Sequence, residues 1–167
     1  MRASHNPFAQ AATLCTIWYM FNEDSVEIDA PPQLVWDVFS DVDRWPEWTA
    51  SVTSLVGLDG SILAVGRRFA IKQPRLQKLV WTVTEIDPGT SWTWVHRSAG
   101  VLVSARHYVT VQPDGRTLVR QQLDQGGVLG ALVGRLTVKR TKRYLQLEAR
   151  GLKARSEQLS RADGPHA

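Results

Sequence analysis

"DAPPQLVWDVFSDVDRWPEWT", Asp29 to Thr49, is the stretch on which the fold turns. The residues just before it, "SVEID", alternate Val26 and Ile28 with polar neighbours, as a half-buried strand does. Ala30-Pro31-Pro32 ends that strand, and Pro32 suits the first turn of a helix, where a missing N–H costs nothing. Val35, Val38 or Phe39, and Val42 then recur at helical spacing, and the helix is expected to stop between Asp41 and Asp43. Trp45-Pro46-Glu47-Trp48 reads as a second, very short helix, because Pro46 is tolerated only in a first turn. The prolines are punctuation. The tryptophans Trp36, Trp45 and Trp48 are expected to plug and rim one end of the fold, with Trp48 nearest a ligand.

Beyond this stretch the chain reads as six strands: Val52 to Leu58, Arg67 to Lys72, Leu79 to Ile86, Ser91 to Ser98, Val101 to Gln112 and Thr117 to Leu123. Asp59-Gly60, Pro74, Asp87-Pro88-Gly89, Ala99-Gly100 and Pro113-Asp114-Gly115 separate them. Connections this short join antiparallel neighbours.

Turn length fixes which side chains share a face. In the strand from Val101 the odd positions Val103, Ala105, Val109 and Val111 are apolar, so odd faces inward. A two-residue turn at Ala99-Gly100 pairs Ser98 with Val101 and turns Trp92, Trp94 and His96 inward. A four-residue turn pairing Ile86 with Ser91 turns Leu79, Trp81, Val83 and Glu85 inward. A three-residue turn with Gly115 in the left-handed position pairs Pro113 with Thr117, so Val119, Gln121 and Leu123 face inward and His107 lies opposite Trp92 and Leu123. By the same pairing His96 lies opposite Trp81 and Val103.

From Val128 to Ser160, Leu129, Leu132, Val133, Leu136, Tyr144, Leu147 and Leu152 lie near helical spacing among lysines and arginines. Gly130, Gly134 and Gly151 each weaken such a helix by about 1 kcal/mol relative to alanine, so it must pack on something. The inward sheet face is the only large apolar partner. The expected class is therefore α+β: two short helices after the first strand, and a curved seven-stranded antiparallel sheet wrapped around a long C-terminal helix.

That order, with "VEIDAPPQLVWDVFSDVDRWPEWT" first, "EIDPGTSWTW" in the middle and "RLTVKRTKRYLQLEARGLKARSE" last, resembles the START-like (SRPBCC) superfamily, closest to its bacterial polyketide cyclase/dehydratase and lipid-transport group. The resemblance covers residues 20 to 160. It implies a helix-grip domain holding a hydrophobic ligand between sheet and helix, and only some such proteins are enzymes.

The expected ligand-binding residues are Phe39, Trp48, Phe69, Ile71, Trp81, Val83, Trp92, Trp94, His96, His107, Val109, Gln121, Leu132 and Leu136. Large aromatics more often fill a core. A strongly curved sheet crossed by a single helix nevertheless leaves space, and an apolar wall with a few converging polar groups is how pockets are built. His107 is the candidate catalytic residue, since a neutral imidazole in an apolar cavity can move a proton next to a carbonyl in an aldol cyclisation and dehydration. Gln121 or His96 would orient the substrate. An imidazole satisfied by one hydrogen bond is the commoner arrangement, so carriage or sensing of a lipid or polyketide-like molecule is the leading expectation and catalysis the alternative.

Composition narrows the rest. A chain of 167 residues with 43% hydrophobic content suits one domain with a self-sufficient core. Cys15 is the only cysteine, which excludes an internal disulfide and fits a reducing cytoplasm. No apolar run reaches the roughly 20 residues of a membrane span, and the start lacks a clean cleavage site. Residues 1–19 are expected to be a poorly ordered extension and 161–167 a tail. No cofactor is expected, nor a metal, because His96 and His107 sit on different rungs without a carboxylate beside both. "GGVLGALVGRL" lacks the lysine and serine of a phosphate loop and opens the last helix instead.

From Arg135 to Arg161 nine lysines and arginines face two glutamates, a local charge of +7, which leaves −3 elsewhere in a chain of net charge +4. A solvated helix face explains such a run without a partner. Nucleic acid is not expected, because Tyr144 alone interleaves the charges; an adaptor using this helix is a third reading, and weak contact with an anionic membrane is compatible with a carrier. Monomer and homodimer are both compatible with the sequence.

Overall fold

The computed structural model describes residues 20–162, so the expectations for 1–19 and for most of the tail lie outside the described residues. The elements run β1 (Met20–Ile28), α1 (Pro32–Ser40), a 3-10 turn (Val42–Arg44), α2 (Trp45–Trp48), β2 (Ser54–Gly57), β3 (Arg68–Lys72), β4 (Leu79–Asp87), β5 (Ser91–Ser98), β6 (Val101–Val111), β7 (Thr117–Gly126) and α3 (Gly130–Ala162). The strands form one antiparallel sheet in the order β1-β7-β6-β5-β4-β3-β2, and α3 packs against β1, β7 and β6 as well as α1 and α2.

The proline-rich stretch folds as its residues dictate. Pro32 and Pro46 occupy the first turns of α1 and α2. Val35 and Phe39, one helical turn apart, are fully buried. The α1 carbonyl of Phe39, one of the last four that a helix leaves without an internal partner, accepts the Trp45 indole N–H at 2.9 Å. Thus Trp45 ties the end of α1 to the start of α2.

Ser98 pairs with Val101 across the Ala99-Gly100 turn, as the turn length predicts. Two other registers differ. Across β4 and β5 the expected pairing holds at Val83–Trp94, but a bulge between Val83 and Glu85 shifts the turn end, where Ile86 pairs with Trp92. An extra residue in one strand reverses the alternation beyond it. Glu85 is therefore exposed rather than inward, and Ile86 packs on the core in its place. Across β6 and β7 the three-residue turn is Pro113 to Gly115, closed by Gln112 and Arg116, so Thr117 pairs with Val111 rather than with Pro113. Gly115 has φ +83°, the left-handed conformation this turn needs. Facing survives the slip, but His107 lies opposite Gln121 rather than Leu123.

Gly151 permits the crossing of α2 over α3. A β-carbon there would lie 2.1 Å from the Trp48 carbonyl oxygen. Gly151→Ala should gain about 1 kcal/mol in helix propensity and lose more to the forced displacement of α2, for a net destabilisation of about 2 kcal/mol. A denaturation midpoint at or above that of the wild type would contradict this close approach.

Candidate functional site

Between the inward sheet face and α3 lies a cavity of about 310 Å³, within the range of small-ligand pockets. Ile71, Trp81 and Trp94 wall it from the sheet, and Val133, Tyr144 and Leu145 from the helix. Trp45 reaches it from α2. The exposed Gln77 of the β3–β4 loop marks its open side, with Ser98 at the β5–β6 turn and Arg140 on α3. Arg140 donates to the Arg75 carbonyl at 3.4 Å and the Tyr144 hydroxyl donates to the Pro74 carbonyl, which ties the β3–β4 loop to the helix.

A buried cluster of polar groups centres on Glu148, further along α3 from this opening. Glu148 is buried in the wall; its Oε1 accepts the Ser51 hydroxyl at 2.8 Å, and its Oε2 accepts the Gln121 amide at 3.5 Å. The Thr49 hydroxyl stands 3.0 Å from that of Ser51. No cation pairs with Glu148 among the described residues. Burial pushes its carboxyl up to about 7, with the Ser51 hydrogen bond pulling the other way. Opposite Gln121, His107 stacks on Trp92 with ring centroids 4.3 Å apart and planes at 11°. Burial holds its imidazole down to about 3, against a smaller upward pull from the Trp92 backbone, so it is neutral at ordinary pH. His107 Nδ1, Gln121 Oε1 and Gln125 Oε1 are buried without a hydrogen-bond partner on three residues that line the cavity. Such groups are costly in a dry interior and call for a partner in the space they border.

Of the residues expected to contact a ligand, Ile71, Trp81, Trp94, His96, His107 and Gln121 line this cavity. His96 is tethered by Nδ1 to the Val80 carbonyl at 2.8 Å. Phe39, Phe69, Val83, Trp92 and Val109 do not line it; they are packed in the core, where Phe39 of α1 meets Trp92 and Phe69 meets Trp94. Trp48 instead packs against α3 at Gly151. Leu132 and Leu136 point outward, 59% and 76% exposed, because the inward stripe at the start of α3 runs through Val133 and Thr137. Glu148 was not anticipated. Its signal lies in the spacing, one turn after Tyr144 and one before Leu152, both buried: a lone carboxylate inside the apolar stripe. Ser51, one residue beyond Ala50, carries no such pattern.

Among the described residues no three His, Cys, Asp or Glu side chains converge as metal ligands, and no helix is long and apolar enough to cross a membrane.

An antiparallel sheet gripping a long C-terminal helix, with an apolar cavity between them, defines a START-like helix-grip protein. The family model described as polyketide cyclase / dehydrase and lipid transport matches residues 23–157, and the chain belongs to that family. No curated protein matches it. Solved structures of the same fold include the Zhui aromatase/cyclase of a Streptomyces species, at TM-score 0.72 and 17% identity, covering 88% of this chain and 99% of that one. A norcoclaurine synthase point mutant of Thalictrum, in complex with a transition-state analogue, matches at TM-score 0.69 and 10% identity over 86% and 97% of the two chains. XoxI of Bacillus cereus matches at 0.66 and 14% over 83% and 96%. At these identities the likeness is one of fold.

Proposed function

We propose that the protein is a cytoplasmic carrier or sensor that binds a small hydrophobic molecule, lipid or polyketide-like, with one hydrogen-bonding group at its buried end. The observation that carries this reading is an apolar cavity of about 310 Å³ that ends on Glu148, a carboxyl without a cationic partner among the described residues. Apolar walls supply affinity that is tolerant of shape, and a buried polar group discriminates strongly against ligands that leave it unpaired. Nile red is a suitable probe. The wild type should take it up saturably, and Ala105→Trp, which fills the cavity from β6, should weaken uptake by roughly tenfold or more, equivalent to at least about 1.4 kcal/mol. Uptake unchanged by that substitution in a folded protein would sink the reading, as would none by the wild type.

A second reading, cyclase or dehydratase chemistry on the bound molecule, draws support from Glu148. A group that titrates near 7 is matched to proton transfer at ordinary pH, whereas an imidazole held near 3 is a weak base. In this reading Glu148 moves the proton, and His107 and Gln121, neighbours across β6 and β7, orient the substrate.

A further inference from the structure

The first turns of α3 and the strand turns beside them form a rim that is both greasy and cationic. Val128 is 95% exposed, Leu129 49%, Leu132 59% and Leu136 76%. Leu129, Leu132 and Leu136 follow helical spacing on one stripe, and the Leu129 amide donates to the Gly100 carbonyl at 2.8 Å, seating the stripe on the β5–β6 turn. Val133, Thr137 and Arg140 of the same helix turns line the cavity. The stripe therefore borders the cavity opening.

Exposed cations stand around it. Arg135, Lys139, Lys142 and Arg143 on α3, Arg75 and Lys78 on the β3–β4 loop, and Arg97 at the end of β5 are exposed. Among the described residues none of these seven pairs with a carboxylate, and every ion pair there involves other cations. A nucleic acid would neutralise them and leave the leucines in water. An anionic bilayer accommodates both, with phosphates against the cations and the acyl boundary against the apolar stripe.

We infer that this rim docks the protein on an anionic lipid bilayer, with Leu132 and Leu136 entering the interface and the cavity opening turned toward the membrane. The inference stands on the rim alone and does not depend on what the cavity holds.

Sedimentation with vesicles tests it. The full chain should bind phosphatidylcholine vesicles containing phosphatidylglycerol and bind pure phosphatidylcholine weakly, with binding falling as salt shortens the screening length from about 10 Å at 0.1 M to about 3 Å at 1 M. Arg135→Glu/Lys139→Glu should weaken it on the order of 25-fold or more, taking about fivefold per cation. Leu132→Ser/Leu136→Ser should weaken it at least tenfold at unchanged charge, by roughly the apolar area withdrawn. Both double variants should keep Nile red uptake without vesicles, which separates loss of docking from loss of fold or cavity. Absence of vesicle binding by the wild type would overturn the inference, as would binding that survives the leucine substitutions. So would a concentration-dependent dimer that the leucine substitutions dissolve, since a second copy would then cover the stripe.

Discussion

Glu148→Gln is expected to stabilise the protein above pH 7 by about 3 kcal/mol while leaving it nearly unchanged at pH 4. The carboxyl titrates near 7 in the fold against 4.5 when unfolded, so the folded state holds the proton more tightly. Between those values the unfolded chain ionises and the folded chain resists, and stability falls as pH rises, by about 1.4 kcal/mol per unit. His107 works in the opposite sense. Its pKa is held at about 3 against 6.5, so below 6.5 the unfolded chain binds the proton that the folded chain excludes, and stability falls as pH falls. From about pH 4.5 to 6.5 the two slopes oppose each other, and the wild type should show a nearly flat profile. In the Glu148→Gln variant only the histidine slope remains, so stability should climb by about 3 kcal/mol over that window. His107→Gln should leave the reverse slope. Denaturant unfolding at half-unit pH intervals reads all three curves, and superimposable wild-type and Glu148→Gln profiles would show that Glu148 does not titrate in a dry site.

How much of this was legible beforehand follows from what side-chain alternation and turn length encode. The prolines of Asp29–Thr49 delimit β1, α1 and α2, and the Ser98–Val101 pairing follows from a two-residue turn. Facing on β6 and β7 survived a register error because the slip preserved parity. The bulge after Val83 was not legible: nothing in "VTEID" marks it, and it follows from fitting the strand to its neighbours. On α3 the reading failed for a different reason. Leu132 and Leu136 share the helical period of the buried stripe, and hydropathy alone cannot tell an apolar residue turned to the core from one turned to solvent. The same bias hid Glu148, which a search for charge assigns to the wet face although its spacing places it with Tyr144 and Leu152. The cavity's polar end thus depends on a residue that local pattern assigns to solvent.

Phe39→Ala should be the most damaging substitution in the opening stretch, costing about 3 to 5 kcal/mol. The Phe39 ring is fully buried. It stacks on Trp45 with centroids 5.6 Å apart and planes at 14°, and meets Trp92 edge-on at 4.5 Å and His107 at 5.3 Å. Removing it leaves a void enclosed by three rings. Two of these are themselves pinned, Trp45 by its hydrogen bond to the residue 39 carbonyl and His107 by its stack on Trp92, so collapse into the space is restricted. A loss of that size is a large fraction of the roughly 5–15 kcal/mol that holds a domain together. Phe39→Leu separates packing from ligand contact. As a core residue outside the cavity, Phe39 should lose about 1 kcal/mol of stability on that change and leave Nile red affinity within about twofold. As a ligand contact it should do the reverse, with affinity falling and stability held. Phe39 packs against Trp45 and His107, which line the cavity, and does not line it itself; that decides for the first outcome, and makes Phe39 and Trp92 part of the rigid backing of the cavity wall.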